Sequence, residues 1–267
     1  MIKAIVVGCA GKMGRRIVNA VECAEGIEVC GGTEVAASPF VGQDIGEVAG
    51  TGKKGIPISA SMADIVGACD VIIDFSVPSA SLEHFLMAHE AGKAIVIGTT
   101  GFNEDHWKTF ESMAKSSRAV IAPNMSVGVN VLFKLVREAA RIMGKTYDIE
   151  IVEMHHNQKV DAPSGTAVKL AEIAAEAVGR DLKNVGVYGR HGVTGKRKPE
   201  EIGVMTLRGG DVVGEHTVMF ASAGERVELT HRAWSRDNFA NGSALAAKWV
   251  VGQPNGIYDM QDALGLK

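Results

Sequence analysis

Three observations predict the fold class. β-Branched runs alternate with amphipathic helices through the first half of the chain. A Gly-x-x-Gly-x-x-Gly turn follows the first of those runs. Near residue 126 the pattern changes to consecutive β runs. Together they predict an α/β protein: a Rossmann-like doubly wound parallel sheet plus a smaller α+β domain with a mixed sheet. The expected division is a dinucleotide-binding domain over 1–125, with 239–267 packing back on it, and a second domain over 126–238.

The run 2–7 is continuously apolar, as a parallel strand covered on both faces requires. Gly8, Cys9, Ala10, Gly11, Lys12, Met13 and Gly14 follow, leading into a helix to about residue 23. Gly8 suits a tight turn, Gly11 a close approach of backbone to a diphosphate, and Gly14 close helix–strand packing. A second strand, 28–33, ends at Glu34, where an acid suits the ribose hydroxyls of a dinucleotide. Val35, Ala36 and Ala37 come next, with no arginine to receive a 2′-phosphate, so NADH is expected in preference to NADPH. Lys12, Arg15 and Arg16 keep NADPH possible.

The alternation continues with a strand at 69–75, a helix at 79–91 stopped by Gly92, and a strand at 94–98. A helix at 103–115 follows, with Asn103 as its N-cap, then a strand at 119–122. Ligands of such sheets bind beyond the carboxyl ends of the strands. The loops there carry Asp74-Phe-Ser-Val-Pro, Gly98-Thr99-Thr100 and Ala122-Pro123-Asn124-Met125, which suit a nicotinamide ribose site and ordinary turns equally well.

Helical spacing of apolar residues over 129–143 predicts a core helix. A strand at 147–152 then delivers His155 and His156, followed by Lys159 and by Asp161-Ala-Pro-Ser-Gly165-Thr166 at the start of a helix over 167–178. A helix start offers free N–H groups and a positive dipole end to an anion. Two imidazoles, an ammonium and an anion pocket in one short segment point to acid–base chemistry on a small acid. Residues 180–203 read as a long Gly-rich, charged excursion, mobile or intersubunit. Three β runs at 204–208, 212–220 and 226–231, joined by Gly-containing turns, suggest antiparallel pairing, and a last helix spans about 239–251.

Composition narrows the function classes. Of 267 residues, 46% are hydrophobic and 22% charged, an ordinary globular balance. The net charge of −3, with no basic block, argues against nucleic acid as partner. No apolar run is long enough for a membrane span, and the N-terminal run reads as a strand and not a signal peptide. Cys9, Cys23, Cys30 and Cys69 show no metal-binding spacing, so no metal is expected, and free thiols suit a cytoplasmic protein.

The segments GCAGKMG at 8–14, DFSVP at 74–78, GTTGF at 98–102, APNMSVGVN at 122–130, EMHHNQKVDAPSGTA at 153–167, GEHTV at 214–218 and FANG at 239–242 carry a resemblance that covers nearly the whole chain. It resembles the dihydrodipicolinate reductase family, the 4-hydroxy-tetrahydrodipicolinate reductases of the diaminopimelate route to lysine. The resemblance implies NAD(P)H-dependent reduction of a cyclic imine dicarboxylate, with hydride delivered to ring C4. It implies His155 as proton donor and Lys159 as a second donor or a carboxylate partner, two roles the sequence does not separate. His156, Gly165 and Thr166 match substrate-binding positions. It also implies a homotetramer, and two domains closing about hinges near 124–128 and 234–239. Two positions depart: many relatives have Arg-His where this chain has Asn157-Gln158, and those that use NADPH well often have arginine where Val35 stands. Two other readings share the Gly-rich turn, a different two-domain NAD-dependent dehydrogenase of a small acid and an NAD-binding redox sensor. Neither needs the 153–167 cluster.

Overall fold

The computed structural model describes residues 1–267 apart from the side chain of Lys145. In chain order the elements are β1 (Ile2–Val7), α1 (Lys12–Cys23), β2 (Ile27–Thr33), α2 (Ile45–Ala49), β3 (Val71–Asp74), α3 (Pro78–Glu90), β4 (Ala94–Ile97), α4 (Glu104–Ser112) and β5 (Arg118–Ile121). Then come α5 (Val127–Met143), β6 (Asp148–His155), α6 (Gly165–Ala177), α7 (Leu182–Val185), β7 (Gly186–Val187), β8 (Ile202–Arg208), β9 (Gly214–Ser222) and β10 (Glu225–Ala233). The last elements are α8 (Asp237–Val250), β11 (Gly256–Tyr258) and α9 (Met260–Ala263). The chain forms two compact units, Met1–Val127 with Arg236–Lys267, and Gly128–Ser235.

In the first unit a six-stranded sheet runs β11-β5-β4-β3-β1-β2, every neighbouring pair parallel. The pleat explains why β1 is apolar throughout. Ala4 and Val6 point to the face covered by Ile17, Val18 and Val21 of α1 and by Ala240, Ala244 and Ala247 of α8. Ile5 and Val7 point to the opposite face, against Phe85 of α3 and Phe110 of α4. Phe85 and Phe110 are fully buried and meet edge to face at 4.9 Å. Burying each ring contributes about 1.5–3 kcal/mol from area alone. Local signals set the helix ends. Asn103 caps α4 by accepting from His106 N at 2.9 Å, Pro78 occupies the first turn of α3, and Gly92 ends that helix at φ +65°. The order turns back at β1 and β3, so their carboxyl ends form the crevice where such sheets take ligands. β11, which the sequence pattern does not announce, adds the outermost strand beside β5.

The second unit is a five-stranded mixed sheet, β10-β9-β6-β8-β7. Its core face, with Ile149, Ile151, Ile202, Val204, Val218 and Phe220, packs on apolar residues of α5 and α6. The expected serial pairing of the last three strands is corrected. β9 and β10 are antiparallel neighbours, but β8 pairs parallel with β6, and β6 lies between β8 and β9. The register Ile149↔Ile202 and Ile151↔Val204 puts alternate apolar residues of β6 and β8 on one buried face, which a hairpin with β9 would not supply to β6. Residues 209–213 therefore cross the end of β6 instead of closing a hairpin. The 180–203 segment also differs from an excursion without structure. It holds α7 and β7, and Arg190 and Arg197 both grip Glu150, Arg190 with two bonds of 2.9 Å. Gly203 makes room for that carboxylate, since a Cβ there would lie 1.8 Å from Glu150 Oε2.

Candidate active site

The Gly-rich turn of the first unit is built for close backbone approach. Gly8 adopts φ +62°, in the left-handed region that glycine tolerates. Gly11 N donates to Gly8 O at 3.0 Å, and a Cβ on Gly14 would stand 2.0 Å from the same oxygen. Gly11 is the N-cap of α1; it offers no side-chain cap, and the first turn holds no acid. That combination fits a diphosphate, which would meet a positive dipole end and no competing carboxylate. Lys12 is exposed at the helix start, and Met13 is half-buried. Cys9 and Ala10 are buried, Cys9 N donates to Thr33 O at 3.2 Å, and burial, then the Glu34 charge, pushes the Cys9 thiol up to about 12. Glu34 Oε1 accepts from Ala10 N at 2.8 Å.

The other residues expected on the coenzyme side stand at the carboxyl ends of β4 and β5. Gly98 lies against the Phe75 ring, leaving no space for a Cβ. Thr99 is buried with its hydroxyl 2.7 Å from Ser81 Oγ, while Thr100 is exposed. Ala122 and Met125 belong to the core, Pro123 is exposed, and Asn124 accepts from Ser126 N at 2.9 Å. Of the Ala122–Met125 loop, Pro123 and Asn124 thus have the side chains most open to a ligand.

In the second unit the organising group is a carboxylate that the sequence pattern did not single out. Glu153 is fully buried on β6, two residues before His155 and on the same face. Oε1 accepts from Arg208 Nη2 at 3.0 Å, Ser164 N at 3.0 Å and Thr206 Oγ1 at 3.2 Å. Oε2 accepts from Arg208 Nη1 at 2.9 Å and lies 2.5 Å from His155 Nδ1. Burial raises the Glu153 carboxyl pKa, but the bonds from Arg208, His155 and Ser164 outweigh it and leave it below the usual range. An ionised carboxylate only accepts hydrogen bonds, so His155 carries its proton on Nδ1. Nε2 is then the atom that gives or takes a second proton. Gly214 leaves that nitrogen clear, since a Cβ there would sit 3.0 Å from it. Burial pulls the His155 pKa down and Glu153 opposes it, with a net lowering.

Ser164 joins this cluster to α6. Its Oγ caps the helix by accepting from Ala167 N at 3.2 Å and lies 3.0 Å from His216 Nε2. His216 is buried, packs edge-on to His155 at 5.2 Å, and has no hydrogen-bond partner at Nδ1. Gly165 and Thr166 form the first turn of α6, with Gly165 exposed. Lys159 Nζ pairs with Asp161 Oδ1 at 2.8 Å. The 209–213 crossing brackets the histidines: Gly209 N donates to His155 O at 2.9 Å, and His156 N donates to Val212 O at 2.7 Å. His156 Nδ1 accepts from Gln158 N at 3.2 Å. His155, His156, Lys159, Gly165 and Thr166 all belong to the one segment that links β6 to α6. Glu153, Arg208 and His216 join them through sheet pairing. Among the described residues no group of His, Cys, Asp or Glu has metal-binding geometry, and no helix is long and apolar enough to cross a membrane.

A doubly wound sheet with a diphosphate-fitting turn, joined to a unit with an oriented histidine beside a helix start, defines a two-unit nicotinamide-dependent oxidoreductase. Comparison with known proteins narrows that class. Residues 2–125 match the family model described as dihydrodipicolinate reductase, N-terminus, and residues 128–264 match its C-terminus counterpart. The 4-hydroxy-tetrahydrodipicolinate reductases of Syntrophobacter fumaroxidans and Syntrophotalea carbinolica are 51% and 52% identical over 267 residues, covering 100% of both chains in each case. Among solved structures, the dipicolinate-bound dihydrodipicolinate reductase from Paenisporosarcina sp. TG-14 shares the fold, with TM-score 0.77 at 23% identity over 98% of both chains. The chain belongs to the dihydrodipicolinate reductase family.

Proposed function

We propose that this chain reduces 4-hydroxy-tetrahydrodipicolinate to tetrahydrodipicolinate in the diaminopimelate route to lysine, with His155 Nε2 as the proton donor. The carrying observation is the Glu153–His155 bond, which leaves Nε2 as the exchanging atom in the segment that also holds Lys159 and the start of α6. When bound, the reduced nicotinamide supplies the hydride. The 4-hydroxyl first leaves as water, which gives a conjugated imine; hydride then adds at ring C4, charge builds toward the ring nitrogen, and His155 delivers a proton to the resulting enamine. Gly165 and Thr166 hold one carboxylate of the acid at the helix start, and Lys159 neutralises the other or steadies charge at nitrogen. His156 serves as a neutral hydrogen-bonding partner. Gripping both carboxylates fixes the ring for hydride approach.

NADH is the preferred coenzyme in this reading. Val35 is 72% exposed and apolar, Arg15 lies over the Phe40 ring at 5.1 Å, and Arg16 is paired with Asp237. A 2′-phosphate would meet Glu34 first. A homotetramer acting in the cytoplasm is part of the same reading. The face of the second sheet opposite α5 and α6 carries Val152, Met154, Met205, Leu207 and Met219, none fully buried. Light scattering that finds a monomer would remove the tetramer.

The test of the activity is consumption of NADH or NADPH, followed by its near-ultraviolet absorbance, with freshly made aldol product of aspartate semialdehyde and pyruvate. Rapid consumption is expected. Failure with both coenzymes would end this reading and favour another dehydrogenase or a redox sensor.

A further inference from the structure

Among the described residues Glu153 is the one buried carboxylate of the second unit, and it has more to do than fill a core. Glu153 receives five hydrogen bonds from four residues: two from Arg208 and one each from His155, Ser164 and Thr206. A carboxylate taken out of water costs several kcal/mol unless paired and hydrogen-bonded, and a well-packed apolar residue holds a sheet equally well. The donors come from separate places: β6 itself, the start of α6, and β8. Two of them adjoin the proposed chemistry, since Ser164 immediately precedes Gly165 and His155 is the proposed acid.

We infer that Glu153 and Arg208 are positioning residues for His155, fixing its protonated nitrogen and tying the ring to the start of α6. The inference rests on the proposed role of His155 and goes beyond it by naming what sets that role. Arg208 approaches Glu153 as a fork, with bonds of 2.9 and 3.0 Å, and its Nη2 also donates to Asp161 O at 2.6 Å. That second bond reaches the segment that carries Lys159. A fork of this kind holds the carboxylate plane, and the plane aims Oε2 at Nδ1. Lysine, a point charge, would hold the charge but not the plane.

The charged groups facing His155 are Glu153, Lys159 and Arg208, with His216 edge-on. Only Glu153 favours the imidazolium; Lys159 and Arg208 oppose it, as does burial. Removing the Glu153 charge therefore makes the ring harder to protonate and also leaves the Arg208 charge without its partner. A general acid loses activity above its own pKa, so the alkaline limb of kcat/KM moves to lower pH.

The experiment compares the full-length wild type with Glu153→Gln and Arg208→Lys. It combines nitrogen-15 NMR of the His155 ring with kcat/KM against pH. In Glu153→Gln the ring is expected to populate both neutral tautomers, the alkaline limb to shift to lower pH, and kcat to fall on the order of a hundredfold. The KM for coenzyme should stay unchanged. Arg208→Lys should move the same readouts in the same direction by less, and it carries the test if the glutamine variant does not fold. An unchanged tautomer and an unmoved limb in a folded variant would overturn the inference. The NMR arm reads the ring itself. Tautomer mixing in Glu153→Gln supports the positioning role even if His155→Gln proves fully active, a result that would sink only the proton-donor reading.

Discussion

Glu34, at the carboxyl end of β2, accepts a hydrogen bond from the Ala10 backbone N–H at 2.8 Å. One carboxylate thereby braces the Gly-rich turn, at the strand end where the proposed reading puts the adenosine ribose. The two duties are separable. Glu34→Gln keeps an oxygen for Ala10 N but removes the charge that repels a 2′-phosphate, and Val35→Arg adds a cation beside it. Each change is expected to raise the NADPH-to-NADH ratio of kcat/KM by roughly tenfold, equivalent to about 1.4 kcal/mol. Steady-state assays with both coenzymes check this. An unchanged ratio in both variants would mean that another residue reads the 2′ position.

His155→Gln removes the exchanging nitrogen while keeping a side chain of similar length near Glu153. The expected loss is on the order of a hundred- to ten-thousandfold in kcat, with KM within a few-fold of wild type. Loss of a transition-state proton transfer gives that split. A variant with normal kcat and raised KM would show instead that the ring only binds.

The two units were legible to different degrees, for physical reasons. β1, the Gly8–Gly14 turn and α1 follow one another locally, so periodicity and glycine placement reveal them. The Asn103 cap and the stop at Gly92 are local as well. The site in the second unit is local only in part. His155, His156, Lys159, Gly165 and Thr166 share one stretch of sequence, but the carboxylate that orients His155 draws its donors from residues as far away as Arg208. That pairing depends on the parallel register His155↔Arg208, and sequence order had suggested that β8 would pair with β9 instead. One signal was available. Glu153 and His155 are two apart on a strand, hence on one face. Gly242 is similar: its place in the FANG segment was visible, while the reason for a glycine, contact with Met125 O, was not.

That contact is itself testable. A Cβ on Gly242 would lie 1.7 Å from Met125 O, and backbone cannot rotate away as a side chain can. Gly242→Ala must push α8 off the sheet it covers. An overpacked core of this kind costs about 1–3 kcal/mol, and calorimetry should show Tm lowered by roughly 3–10 °C. Gly165→Ala makes a fitting control, because nothing lies within 4 Å of a Cβ there. It should leave Tm nearly unchanged.

His216 gives the second unit a pH dependence whose sign can be worked out. Burial, then the neighbouring His155, pushes its pKa down to about 3 from the ordinary 6.5. Between those values the unfolded chain binds a proton that the native state refuses. Stability is therefore complete above the ordinary value and declines as pH falls toward the lower one. Glu153 contributes in a lower window, since its stabilisation is lost only below the ordinary carboxyl value of 4.5. Going from about pH 7 to about pH 5, His216 alone removes roughly 2 kcal/mol. His216→Asn keeps a hydrogen-bonding group near Ser164 but cannot titrate. It should be less stable than wild type at the higher pH yet lose less on acidification. Urea unfolding of the full chain at both pH values measures the two losses. Equal losses in the variant and the wild type would show that the ring titrates alike in the folded and unfolded chain.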